Sequence, residues 1–346
     1  MPSIYVALVL LLTLCCFTQP AFAEKWLGPT DGPIKQTKKS IVFLSHDLQN
    51  SGPTLVYRGL EKAARILDWK ITIVNGKGDT KNINDAFMEI IKRKPDAIVL
   101  GAFQEDMVAR LIPLAKQANI VLVGWHAAAI PGPTPNLFVN VATNPIDVAK
   151  MIAEYVIHDS KEKAGVIIIT DNHYAVAKEK AIRIKASIEA CKTCKVLSIE
   201  DVSISLTDKL IDDFVIRMNQ IHGSAWTYTL AINDLYFDVM NIPLIKIGRP
   251  DIRNVSAGDG SSTAISRIKA GKSQQIATIA EPLFLQGWQL ADELNRAFAG
   301  KPPSGFVSKP ILVTKQVLNR LNGKEIESDI PYKEAYTAIW KNGVAK

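Results

Sequence analysis

The chain alternates short apolar runs with longer stretches in which apolar residues recur every three or four positions. "SIVFLS" (40–45), "KITIVN" (70–75), "DAIVLG" (96–101) and "IVLVGW" (120–125) have the length and the β-branched content of strands. Between them, "TLVYRGLEKAARILDW" carries Leu55, Leu60, Ala63 and Leu67 on one side of a helix. "NINDAFMEIIKRK" turns Ala86, Ile90 and Ile91 inward, and "EDMVARLIPLAKQAN" reads as one more helix. A second series follows: strands at 164–170, 195–200, 227–232, 253–258 and 275–281, with helices running to Ile188 and around "DKLIDDFVIRMNQI". The segment after Glu281, "PLFLQGWQLADELNRAFAGKPP", is a further helix that could return to the first series.

Strands that are apolar throughout are buried on both faces, which predicts parallel sheets covered by helices. Repeated βα units predict an α/β fold with two doubly wound parallel-sheet lobes. The expected lobes are 38–142 plus 281–312, and 143–280 plus 313–346, with crossovers near 142, 281 and 312. Each is about the size of one compact domain. Residues 24–37 are punctuated by Gly and Pro and predict a tail or an edge wrap.

The first 23 residues change the picture of the compartment. They hold no charged side chain, and an apolar core from Ile4 to Phe17 is followed by Ala21-Phe22-Ala23. This predicts a secretory signal peptide cleaved near Ala23 and a product exported to the periplasm. An uncleaved anchor and a lipoprotein modified at Cys15 or Cys16 are the alternatives. Of four cysteines, Cys191 and Cys194 remain after cleavage. In an oxidising compartment two cysteines this close predict a local disulfide. A redox pair should open a helix rather than end one, and zinc needs about four ligands. The formal net charge is +7, from 41 Lys and Arg against 34 Asp and Glu. The lysines are scattered as on solvated helix faces, with no aromatic-interleaved basic patch for nucleic acid.

In open α/β lobes, ligands bind beyond the carboxyl ends of the strands. The residues found there are His46 and Asp47, then Asn50; Phe103; Trp125 and His126; Tyr174; Asn233 and Tyr236; Asp259; and Glu281. Carboxylates and amides can grip vicinal hydroxyls while an indole covers an apolar face, which suits a sugar-like ligand. Each has a plainer reading. Asn144, Asp171, Asp234 or Asp259 could cap the next helix; Trp125 could be an interface wedge; His46 and His126 could be satisfied polar residues. Ser45, His46 and Asp47 are adjacent and cannot form a catalytic triad. G-x-S-x-G, P-loop and H-E-x-x-H patterns are absent from the sequence. A binding protein is expected rather than an enzyme, with no cofactor and no resident metal.

The order of elements, and the pieces "ARILDWKITIVNGKGDTKNINDAFMEIIKRKPDAIVLGA", "LAKQANIVLVGWHA", "YTLAINDLYFDVM", "VSAGDGSSTAISRIKAGK" and "QIATIAEPLFLQGWQLADELNRAFAGK", resemble the type I periplasmic binding proteins, the ribose-binding-protein-like receptors of ABC importers. The resemblance implies two lobes joined by a three-segment hinge that close on a ligand. It places Asn50, His126, Lys180, Asn233, Asp259 and Glu281 at ligand-contacting positions. The sugar receptors usually have an Asp-Arg pair where this chain has His126-Ala127, an Arg where it has Lys180, and a Gln where it has Glu281. The implied partners are a small polar ligand and an ABC permease, with the protein a monomer. A periplasmic sensor presenting ligand to a histidine kinase or chemoreceptor is the alternative. A secreted hydrolase and a transcription factor are weaker readings.

Overall fold

The computed structural model describes residues 25–49 and 51–343. The signal-peptide reading of 1–23 and the expected site residue Asn50 lie outside them. Among the described residues no helix is long and apolar enough to cross a membrane.

The first lobe is built from β1 (Ser40–Ser45), α1 (Ser51–Leu67), β2 (Lys70–Asn75), α2 (Thr80–Arg93), β3 (Ala97–Gly101), α3 (Ile112–Gln117), β4 (Val121–Trp125) and the short β5 (Asn140–Val141). Its strands pair in parallel in the order β2-β1-β3-β4-β5. The second lobe holds α4 (Pro145–Asp159), β6 (Gly165–Thr170), α5 (Ala175–Glu189), β7 (Lys195–Asp201), α6 (Thr207–His222), β8 (Tyr228–Ala231), α7 (Leu235–Lys246), β9 (Arg253–Ser256), α8 (Ser262–Ala270) and β10 (Gln275–Ala280). Its order, β7-β6-β8-β9-β10, repeats that of the first, and β11 (Ile311–Thr314) adds antiparallel to β10. Chain direction across each sheet switches between β1 and β3 and between β6 and β8. A crevice opens at such a point.

Central strands such as β3 and β6 are buried along their whole length, as the apolar runs predict. The edge strands β2 and β7 are not: both keep residues exposed, because each has a neighbour on one side only. The single helix expected over 105–119 is broken into a 3₁₀ turn (Glu105–Val108) and α3. Pro113 lies in the first turn of α3, where it lacks the N–H that a continuous helix would need.

Within the described residues the chain passes between the lobes four times. It leaves the first sheet after Val141 and returns after Ala280 into α9 (Leu283–Phe298), which packs along α1. It crosses again to β11 and α10 (Lys315–Leu321), and comes back as α11 (Tyr332–Asn342). Assigning all of 313–346 to the second lobe is therefore incorrect for α11. Tyr332, Tyr336, Ile339 and Trp340 share one helical face and are buried in the first-lobe core with Trp288 of α9. The Trp288 and Trp340 rings stack at 5.5 Å. The segment before β1 wraps this corner: Lys35 N donates to Trp340 O at 2.8 Å, and Gln36 N to Asn295 Oδ1 at 2.8 Å.

Candidate functional site

Two backbone turns set the first-lobe wall. Ala102 and His126, just past β3 and β4, both have positive φ, 62° and 52°. Non-glycine residues adopt this conformation at a cost of about 1–2 kcal/mol. Ala102 N donates to Trp125 O at 2.8 Å and His126 N to Val141 O at 3.2 Å, so the turns are fastened to neighbouring strand ends. Asn140 then clamps the loop that follows: its Oδ1 accepts from Ala127 N, and its Nδ2 donates to Ala128 O and Ile130 O. The stretch "WHAAAIPG" is thereby held as a rigid ledge.

The ledge stacks Trp125 and His126 with ring centroids 4.3 Å apart and planes 13° from parallel. Trp125 Nε1 donates to Gln286 Oε1 at 2.7 Å, and Gln286 Nε2 donates to Glu281 Oε2 at 3.0 Å. His126 Nε2 meets the same Oε2 at 2.9 Å, and a carboxylate can only accept, so this nitrogen carries the proton. From the second lobe, Lys180 Nζ donates to Glu281 Oε1 at 2.8 Å and to Ala257 O at 3.4 Å. Glu281 thus ties both lobes together. Burial pushes its carboxyl up, but the His126 and Lys180 charges, and the hydrogen bonds they make, hold it well below the usual carboxylate range.

In front of this network is a narrow cavity of about 60 Å³ between the lobes. Trp125, His126 and Ala102 line it from the first lobe; Tyr174, Lys180, Asn233 and Asp259 line it from the second, with an apolar wall of Val176, Ala177, Ile204 and Ile232. Asn233 Nδ2 donates to Asp259 Oδ2 at 3.2 Å. Burial, then the neighbouring Glu281 charge, push the Asp259 carboxyl up to about 6 against the opposing pull of Lys180 and His126. Burial also raises the Tyr174 phenol, which stays neutral.

Tyr174 also faces a wider, solvent-open cleft of about 920 Å³, lined by His46, Asp47 and Phe103 of the first lobe and Asp171 and His173 of the second. His46 Nδ1 lies 3.0 Å from Asp47 Oδ2, and its ring meets Tyr174 edge-on at 5.6 Å. Among the described residues no group of three or more His, Cys, Asp or Glu could hold a metal ion.

Trp125, His126, Tyr174, Lys180, Asn233 and Asp259 therefore converge on the inner cavity, and His46, Asp47 and Phe103 on the outer cleft. Two expectations are corrected. Tyr236 is fully buried and donates its hydroxyl to Val202 O at 2.6 Å, because the first turn of α7 points it beneath the sheet. Glu281 does not line the inner cavity; its two oxygens are taken up by the network behind it. The capping readings separate as well. Asn144 caps α4, accepting from Ile146 N, but Ser261 rather than Asp259 caps α8. Asp234 makes no cap bond; its carboxylate accepts from Ser256, Ser261 and Gln275. Sequence reasoning missed Gln286, Asn140 and the apolar wall. Only Ile232, ending an apolar run, carried a positional signal.

A family model described as a periplasmic binding protein domain matches residues 41–302. A search of curated proteins finds no match. Among solved structures, the chain is similar to an ABC-transporter solute-binding protein from Agrobacterium vitis with bound allitol, at TM-score 0.72 and 16% identity over 84% of this chain and 99% of that one. It is similar to a 5-methylthioribose transporter solute-binding protein from Thermotoga lettingae TMO, at TM-score 0.73 and 17% identity over 86% and 95%. It is also similar to the binding component of an arabinose ABC transporter from Shewanella sp. ANA-3, at TM-score 0.71 and 14% identity over 86% and 97%. These likenesses give the fold, two α/β lobes of the type I arrangement. Matched over most of its length by the family's own model, the chain belongs to the periplasmic binding protein family, whose members bind ligands and are not enzymes.

Proposed function

We propose that this protein is an exported solute-binding protein that captures one small polar, sugar-sized ligand between its lobes and delivers it to an ABC importer in the membrane. The observation that carries the reading is the inner cavity, whose walls come from both lobes: Trp125 and His126 on one side, Tyr174, Asn233 and Asp259 on the other. A ligand touching both walls favours the closed arrangement over any open one, so binding and closure are coupled. The crossing segments between the lobes are the natural hinge. Stacked rings beside a buried carboxylate and amide suit a compact polar molecule with one apolar face. The ligands in the similar structures, allitol, 5-methylthioribose and arabinofuranose, are of that size. Residues 1–23 are proposed as the cleaved export signal. Native mass spectrometry of protein purified gently from the periplasm tests the proposal. One small polar molecule bound per chain, released unaltered on denaturation, is expected. Chemical conversion of that molecule on prolonged incubation would contradict it.

A further inference from the structure

The ion pairs around the inner cavity all fall on one carboxylate. Two basic side chains line the cavity, and both are turned away into the network behind: Lys180 Nζ and His126 Nε2 each donate to Glu281. The Lys180 charge is matched by Glu281. Asp259 has no such match. Its carboxylate lines the cavity, the residue is 8% exposed, and its one side-chain partner among the described residues is the neutral amide of Asn233. That amide is itself committed, since Asn233 Oδ1 accepts from Leu235 N at 2.9 Å. The cavity therefore offers a carboxylate acceptor with no direct ion pair, aromatic rings and an apolar wall, while its two basic side chains are bonded to Glu281. A ring of sugar hydroxyls requires donors and acceptors alike; an ammonium group requires only acceptors and the faces of aromatic rings.

We infer that the inner cavity is an ammonium subsite: the ligand carries a positively charged nitrogen that pairs with Asp259 between Trp125 and Tyr174, while its body reaches into the outer cleft. The volumes agree with this division, about 60 Å³ within and about 920 Å³ outside, with Tyr174 common to both. Burying a carboxylate without a direct ion pair is costly, and a bound cation supplies that partner. The inference rests on the proposed ligand-binding cleft and narrows its ligand to organic cations, amino sugars included.

Calorimetry with matched probes at pH 7.5 tests it: D-glucosamine against D-glucose, D-galactosamine against D-galactose, and choline against its uncharged isostere 3,3-dimethylbutan-1-ol. At least one ammonium compound is expected to bind the parent protein 10-fold or more tightly than its neutral counterpart. That preference should disappear in Asp259→Asn, a variant of the same shape, with cooperative unfolding retained. Neutral sugars binding the parent as tightly as their amino counterparts would overturn the ammonium subsite and leave the cleft as a sugar site. Silence from all six probes would overturn it too; if no small molecule co-purifies either, the cleft reading falls with it.

Discussion

Glu281 is a buried carboxylate with three donors, reached from Lys180 across 101 residues and from His126 across 155. Nothing local in the sequence announces such a hub. The strand-end rule placed Glu281 and His126 near the crevice and the family resemblance placed Lys180 there, but whether a side chain faces ligand or a neighbour is decided by tertiary distances. Tyr236 shows the same limit: it follows a strand end, yet its ring packs in the second-lobe core and its hydroxyl donates to Val202 O. Removing one member of a buried ion pair leaves the other uncompensated. Lys180→Met should therefore destabilise the protein by about 3–5 kcal/mol, read as a lowered urea midpoint. Replacing Glu281 by Gln in the same chain should restore part of the loss, because the orphaned charge is then gone.

At the scale of elements, the α1–α9 contact sets the site, since α9 carries Gln286 and α1 begins beside the cleft. The two helices cross at glycines. A methyl group on Gly287 would lie 2.4 Å from the backbone of α1, and one on Gly59 would lie 2.5 Å from Phe284 O. Backbone cannot yield as a side chain can, so Gly287→Ala should cost at least the 1–3 kcal/mol typical of overpacking, measured by urea denaturation. The periodicity of α1 and α9 was legible; the reason for their glycines was not, because it lies in the other helix. The end of α5 gives a second prediction. Cys191 and Cys194 sit in the turn after it with Cα atoms 5.3 Å apart, inside bridging range. Intact-mass analysis of exported protein should show a mass lower by two hydrogen atoms than that of the free-thiol form. A loop this short stabilises by about 2 kcal/mol or less.

For the whole molecule, buried carboxyls give the stability profile an uncommon slope. Burial, as the largest cause, raises Asp259 to about 6 and Glu293 and Glu327 to about 7. In an unfolded chain these groups titrate near 3.9–4.3. Between about pH 4 and 7 the folded state therefore binds more protons than the unfolded one, and stability falls as pH rises. The depressed Glu281 acts in the opposite sense, but only where pH drops below about 4.5. A urea midpoint higher at pH 5 than at pH 8 is expected. The two-lobe architecture was readable from the alternating runs, since β3 and β4 are apolar for their full length and β6 is apolar up to Thr170. The fourth crossing was not foreseen, although Tyr332, Tyr336, Ile339 and Trp340 carry its helical spacing. Pattern alone does not say which lobe such a face will cover. The central claim is that one ligand is held by both lobes at once. Calorimetric titration of the co-purified molecule into the parent, Trp125→Ala and Asn233→Ala, one variant from each lobe, tests it most directly. Losing a buried partner costs about 1–3 kcal/mol, so each variant should bind roughly 5- to 150-fold more weakly while remaining folded. Parent-like affinity in either folded variant would contradict a ligand shared between the lobes.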